Sequence, residues 1–133
     1  MKLYFIAMLV SFVTVGCYKP PEEDDTQFID GYVIGRESCY QDGSLNYWLI
    51  DCTVRARWQT PQIGDSLIID SVQYSNVIKL KSLPSELGII GMPIAIGYTA
   101  VKERSISVGC NITSPTVYYL REIVPTMIGR SGN

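Results

Sequence analysis

Alternation of apolar and polar residues dominates the middle of the chain. Apolar side chains occupy every second position from residue 48 to residue 58, namely Trp48, Ile50, Cys52, Val54, Ala56 and Trp58. The intervening positions carry the mixed set Tyr47, Leu49, Asp51, Thr53, Arg55 and Arg57. Since successive side chains of a strand point to opposite faces, this pattern predicts one long strand with a core face and a mixed face.

Shorter runs of β-forming residues predict the remaining strands. Phe28–Gly35 precedes the long strand, and the turn-forming residues Gln41–Ser44 between them predict a hairpin. The other runs are bounded by Gly, Pro, Asn, Ser or charged residues and comprise Ser66–Asp70, Val72–Lys81, Pro93–Val101, Ile106–Val108 and Thr116–Val124. Pro84–Gly88, with its early proline and final glycine, predicts one helical turn. Together these elements predict an all-β domain over residues 27–133, either a small antiparallel barrel of OB-like type or a sandwich of about five to seven strands.

Composition excludes several classes of function. The 133 residues suffice for one domain, and a content of 47% apolar and 18% charged residues is that of a folded chain rather than a basic nucleic-acid-binding protein. The absence of histidine removes every Ser-His or Cys-His dyad and every His-ligated metal site. The 4 cysteines contain no Cys-x-x-Cys pair, so we expect neither a metal nor another cofactor.

The first 16 residues have the pattern of an export signal. Lys2 is followed by the uncharged stretch Leu3–Gly16, whose helix of about 21 Å would be shorter than the ~30 Å hydrocarbon core. Cys17 directly follows the small residue Gly16, and this junction resembles the lipobox of bacterial lipoproteins. The resemblance implies that the Cys17 thiol carries a diacylglyceryl group and that Cys17 is the first mature residue. The alternative is a plain signal peptide or anchor helix that contains a cysteine.

Residues 17–26 have the composition of a tether. They contain two adjacent prolines and the four consecutive acids Glu22–Asp25, which cannot contribute to a core. Lys19 with this acidic cluster resembles the surface-export signal of Bacteroidota-type lipoproteins, whereas a solvated spacer is the alternative. Of the 11 bases 2 precede Gln27, and of the 13 acids 4 do, so the domain carries 9 of each and is neutral. Long-range attraction of charged partners is therefore not expected.

The domain itself resembles small Bacteroidota envelope lipoproteins of unknown role. The resemblance rests on Gly31–Gly35, on Cys39 just after it, and on Tyr74–Lys79 followed by Leu83 and Pro84. It implies a location in the bacterial cell envelope, at the outer membrane and on the cell surface, and it implies no activity.

The three remaining cysteines are expected in an oxidising compartment. Cys52 lies on the apolar face of the long strand and is interpreted as a small buried hydrophobic residue. A hairpin register that places Cys52 opposite about Gly35 keeps it too far from Cys39 for a bond. Cys39 and Cys110 both lie in loop-like segments and are predicted to form a disulfide. The alternative is that all three thiols remain free.

Candidate chemistry is confined to a few polar residues. Asp51, Arg55 and Arg57 share the mixed face of the long strand and are candidate ligand contacts in a polar pocket. An exposed face with cross-strand ion pairs is the alternative, and the residues favour it. Ser66 and Ser71 stand in Asp-Ser-apolar triplets that resemble Bacteroidota-type O-glycosylation sites.

Two classes of function follow. The first is a non-catalytic binding or accessory module, anchored in the membrane through lipidated Cys17 and contacting an envelope protein or a glycan, with no nucleic-acid partner. The second is a small histidine-free envelope enzyme that uses carboxylates such as Asp51. An open cleft around Asp51 favours the enzyme, whereas a filled barrel interior favours the binding module.

The lipobox interpretation predicts the outcome of one substitution. Cys17→Ala is expected to abolish acylation, because the lipid is attached to this cysteine and supplies about 0.8 kcal/mol of membrane affinity per buried CH₂. Metabolic labelling with radioactive palmitate measures the effect. Equal labelling of the wild-type protein and the variant would contradict the interpretation.

Overall fold

The structure is a computed structural model, and it describes residues 25–53 and 61–132. This part of the chain forms the strands β1 (Gln27–Arg36), β2 (Trp48–Asp51), β3 (Asp65–Ile69), β4 (Val72–Leu80), β5 (Pro93–Ser105) and β6 (Leu120–Arg130). A 3-10 helix, Gly43–Leu45, lies between β1 and β2. The predicted all-β class is confirmed. The signal peptide 1–16, Cys17 and most of the tether lie outside the described residues.

Five of the strands close into a ring. The sheet order is β2-β1-β5-β6-β4-β3, and an additional pairing of β2 with β4 joins the two ends of the five-stranded part. β3 adds to β4 outside this ring. The pairing of β4 with β6, at Lys79 and Glu122, is parallel, while the others are antiparallel. The architecture is therefore the small barrel rather than the sandwich, and its sheet is mixed where a purely antiparallel one was expected.

The hairpin of β1 and β2 forms as predicted, but its register differs. Arg36 pairs with Trp48 and Tyr32 pairs with Asp51, with a bulge between Val33 and Gly35. Cys52 therefore lies beside Gly31, not Gly35, because the connection between the strands is longer than a tight turn. The inference that Cys52 and Cys39 are unpaired with each other holds in either register.

The core consists of two apolar clusters on the two faces of β2 and β4. The barrel interior contains the predicted core-face residues Ile50 and Cys52, with Trp48 packed against them. The outer face holds a second cluster around Leu49, Val77 and Leu120. Both faces of β2 are consequently buried, whereas the alternation predicted one mixed, accessible face.

β2 ends at Asp51, and Cys52 and Thr53 no longer belong to the strand. The Asp51 carboxylate accepts a hydrogen bond of 2.9 Å from the Thr53 backbone N–H, and this local turn stops the strand. Beyond it, the buried Asn76 amide donates to the carbonyls of Cys52 (3.2 Å) and Pro61 (3.0 Å). Residues 54–60 lie outside the described residues, so the predicted strand positions there, including Arg55 and Arg57, are not described.

The structure also differs from the predicted strand bounds near β5 and β6. β6 begins at Leu120 and runs through Pro125, whereas a strand over Thr116–Val124 was predicted. Pro125 lies where the β5–β6 register shifts, and a bulge tolerates a residue without an N–H. β5 ends at Ser105, and the predicted strand Ile106–Val108 lies in the loop that follows it.

The predicted helical turn is a hydrogen-bonded turn. The N–H groups of Leu87 and Gly88 donate to the Pro84 carbonyl at 2.9 and 3.2 Å. Within the described residues, the 3-10 helix lies instead in the segment predicted as the hairpin turn.

The core assignment predicts a large loss of stability on Ile50→Asp. Ile50 is 0% exposed in the barrel interior, so an unpaired carboxylate there should cost several kcal/mol of the unfolding free energy. Ile68→Asp is the matched control, because Ile68 is 65% exposed on β3 and its loss should be about 1 kcal/mol or less. Thermal or urea unfolding of both variants measures the difference. Equal losses would show that the core face is misassigned.

Candidate functional site

A disulfide joins the two long loops at one side of the barrel. The β1–β2 loop (residues 37–47) carries Cys39, and the β5–β6 loop (residues 106–119) carries Cys110. The two cysteines form the predicted disulfide across a sequence separation of 71 residues. In the chain-entropy model such a cross-link stabilises the fold by roughly 4 kcal/mol. The bond also indicates an oxidising, extracytoplasmic location, as predicted.

Backbone contacts extend the connection between the two loops. Ser38 and Thr116 exchange a pair of hydrogen bonds at 2.9 and 2.7 Å. The N–H of Asn111 donates to the Cys39 carbonyl at 3.0 Å, and the Tyr40 hydroxyl donates to the Val108 carbonyl. Because these bonds flank the disulfide on both sides, the two loops form one structural unit.

The β1–β2 loop is held in shape from within by Asn46. Its buried side-chain oxygen accepts hydrogen bonds from the N–H groups of Cys39 (3.0 Å) and Tyr40 (2.9 Å). Asp42 caps the 3-10 helix by accepting from Ser44, and this hydrogen bonding lowers the pKa of the Asp42 carboxyl. The loop thus presents its aromatic residues from a fixed backbone.

A groove of about 380 Å³ lies between the two loops, and we call it the tyrosine groove. One wall consists of Tyr40, Leu45 and Tyr47 from the β1–β2 loop. The other wall is the segment 105–108, which comprises the last residue of β5 and the three residues after it. The floor is formed by Lys79 and Lys81, at the end of β4.

A buried ion pair lies beneath the tyrosine groove. The Lys79 Nζ atom lies 3.6 Å from Glu37 Oε1, and both side chains are 0% exposed. The same ammonium donates to the backbone carbonyls of Ser105 (2.7 Å) and Tyr118 (3.3 Å). It also lies 4.7 Å above the ring of Tyr47. Lys79 therefore connects β4 to both walls of the groove.

Glu37 is equally well satisfied. Its carboxylate accepts hydrogen bonds from the Ser107 hydroxyl (2.5 Å) and from the Tyr118 N–H (2.9 Å). Such bonds are needed, because removing two charges from water costs several kcal/mol per ion. The pair thus fixes the segment 105–107 and Tyr118 against the β1–β2 loop.

Tyr47 links this site to a second ion pair near the surface. Its hydroxyl donates to Glu122 at 3.3 Å, and Glu122 also pairs with Lys102 at 3.3 Å. Burial, and next the nearby Glu122 carboxylate, raise the pKa of the Tyr47 phenol. The phenol consequently stays protonated at neutral pH and acts as a hydrogen-bond donor.

Of the three predicted ligand contacts, the structure describes Asp51, which does not line the tyrosine groove. Asp51 is 4% exposed, and its carboxylate accepts a hydrogen bond from the Thr53 N–H. Arg55 and Arg57 lie outside the described residues. Cys52 is a buried free thiol, and burial strongly raises its pKa, so it is suited to packing and not to nucleophilic attack.

The two serines of the Asp-Ser-apolar triplets are both exposed. Ser71 lies with Asp70 in the two-residue turn between β3 and β4, where both residues have positive φ (65° and 48°). Ser66 is on β3, next to the buried Asp65, whose carboxylate accepts hydrogen bonds from the Arg104 side chain (2.5 Å) and the Arg121 N–H (2.9 Å). Modification of either serine remains a prediction.

Comparisons with known proteins do not identify the chain. No family model, no curated protein and no solved structure matches it. In the described part of the chain, no helix is long and apolar enough to cross a membrane, and no group of three or more Cys, Asp or Glu side chains is placed to hold a metal ion.

The groove residues were not predicted, although the sequence carries one signal for them. Lys79 interrupts the apolar run Val77–Leu80, and a lysine inside a buried strand requires a buried partner. The predicted disulfide also implied that the two loops meet. The partner Glu37 carries no comparable signal in the sequence.

The ion pair predicts strong coupling between its two members. Lys79→Met should lower the unfolding free energy by about 3–5 kcal/mol, because Glu37 is then left as an uncompensated buried charge. Adding Glu37→Gln should recover part of that loss, since the remaining charge is removed. Urea unfolding of the wild type, both single variants and the double variant measures the coupling. Additive losses would show that the two side chains do not interact energetically.

Proposed function

We propose that this chain is a lipid-anchored, non-catalytic binding module of the bacterial cell envelope that holds an envelope protein or a glycan in the tyrosine groove. One observation carries the proposal: a concave site is walled by two loops that a disulfide cross-links above a fully buried ion pair. A site that is rigid before binding loses little conformational entropy when its ligand arrives.

The lining of the groove supports binding of a partly polar ligand. Tyr40 and Tyr47 offer large rings with few rotatable bonds, while Ser105 offers a hydroxyl. Leu45, Ile106 and Val108 at the rim are 48%, 49% and 72% exposed. Rings, hydroxyls and exposed apolar side chains are the groups that contact sugars and peptides.

The barrel supports the choice of this face. OB-like barrels bind oligosaccharides and oligonucleotides between the loops that follow the first and fourth strands of the ring. In this chain those are the β1–β2 and β5–β6 loops, which form the groove walls. The neutral charge of the domain favours a glycan or protein over a nucleic acid.

Lipidation of Cys17 and export to the outer membrane and cell surface belong to the same proposal. The 10 residues from Tyr18 to Gln27 span at most about 36 Å when extended, so the barrel would stay close to the membrane. The disulfide agrees with export, because such bonds persist outside the reducing cytoplasm.

A binding role is supported over the carboxylate enzyme by how the acids are used. Glu37 and Asp65 are both engaged by cationic side chains and by backbone N–H groups. Asp51 terminates a strand and is buried. These roles account for the three acids structurally.

Site-specific photo-crosslinking tests the proposal in intact cells. A photoreactive amino acid at Ile106, on the groove wall, should give covalent adducts that mass spectrometry identifies as glycan or protein. The matched control is the same residue at Ile68, which is also exposed but lies on β3, outside the groove. Adducts from Ile106 alone are expected. Equal adducts from both positions, or none from Ile106, would refute the groove as the binding site.

A further inference from the structure

We infer that the ligand of the tyrosine groove is an acidic carbohydrate whose carboxylate is bound by Lys81. This inference rests on the proposed function and adds to it the chemical class of the ligand. It is carried by the distribution of charge among the residues that line and surround the groove.

The two lysines of the groove floor differ in whether their charge is already compensated. Lys79 is fully buried and is neutralised by Glu37, so its ammonium is not available to a ligand. Lys81 follows two residues later, is exposed, and has no ion pair or hydrogen bond with any described residue. One free cation therefore faces the groove.

The nearby acids do not cancel that charge. Glu122 is shared between Lys102 and the Tyr47 hydroxyl, and Glu37 is enclosed beneath the floor. Counting Lys79, Lys81 and Lys102 against these two carboxylates leaves the groove with one uncompensated positive charge. An anionic ligand complements this charge, and an ammonium–carboxylate hydrogen bond in a concave, partly desolvated site is stronger than one at an open surface.

The other lining groups favour a sugar as the carrier of the carboxylate. Tyrosine rings pack against the C–H faces of pyranose rings, and the Ser105 hydroxyl, which has no partner among the described residues, can bond a sugar hydroxyl. The side chains of segment 105–108 are two serines and two apolar residues, so this wall offers no second cation for a polyacidic peptide. The combination of one cation, two aromatic rings and free hydroxyl capacity fits a uronate-containing oligosaccharide.

Calorimetric titration of the full mature protein in detergent tests the inference. The probe is an oligogalacturonate, and the matched neutral probe is the same oligosaccharide with its carboxyl groups reduced to alcohols. We expect the acidic probe to bind about tenfold or more tightly than the neutral one, with an affinity that falls as salt is added.

Substitutions then assign the effect to Lys81. Lys81→Met should remove the preference for the acidic probe, so that the two probes bind with similar affinities, whereas Lys81→Arg should retain the preference. Arg130→Met removes the same charge from an exposed residue near the end of β6, outside the groove, and should have little effect.

The outcomes separate this inference from the proposed function. Equal affinity for both probes, or a preference that survives Lys81→Met, contradicts the inference that Lys81 binds an acidic carbohydrate. If neither probe binds while Ile106 crosslinks to an envelope protein, the groove is a binding site and the carbohydrate inference is wrong. If Ile106 gives no adduct and neither probe binds, the proposed function fails as well.

Discussion

The buried pair of Lys79 and Glu37 is the constraint on which the shape of this molecule depends. An ammonium and a carboxylate that are both 0% exposed must have every hydrogen-bonding direction occupied. The groups that do so come from four places in the chain: β4, the β1–β2 loop, the end of β5, and Tyr118 before β6. Those segments must meet for the pair to be tolerated, so the pair selects one arrangement of the loops.

The disulfide and the ion pair act on different states of the same chain. The Cys39–Cys110 bond limits the unfolded ensemble and keeps the two loops within reach of each other. It does not determine which side chains pack between them. That choice depends on the ion pair and on Asn46, whose amide fixes the backbone around Cys39 and Tyr40. The cross-link and these hydrogen bonds together fix the two loops that form the walls of the groove.

The parts of the fold that follow from local patterns were predictable, and the parts that follow from long-range contacts were not. The all-β class, the hairpin and the burial of Ile50 were expected from alternation and turn chemistry. The Cys39–Cys110 bond is a long-range contact that was nevertheless expected, because both cysteines lie in loop-like segments. The end of β2 was missed because Asp51 fits the period of two while its carboxylate turns the backbone at Thr53. The period of apolar residues indicates which way side chains point, but it does not show whether a side chain forms a hydrogen bond with the neighbouring backbone.

The candidate site was predictable only in part. A disulfide between the two loops places them together, but nothing near Glu37 in the sequence shows that its carboxylate is buried 42 positions away from its partner Lys79. The second apolar cluster was not predicted for the same reason, because its residues come from distant segments of the chain. Leu49 was assigned to an accessible face because one strand alone cannot show that residues near Leu67 and Leu120 cover it.

The groove lies where the outer side of β4 is no longer covered by other segments of the chain. Val77, Lys79 and Lys81 alternate along the chain and so leave it on the same outer side. Val77 is covered by the second apolar cluster, and Lys79 is covered by the loops, which supply its carboxylate and carbonyl partners. Lys81 lies one step further, where the cover ends and the side chain is exposed. The outer side of β4 therefore passes from a buried apolar residue to a buried cation, and just past the end of the strand to an exposed cation, which marks the edge of the core at the groove.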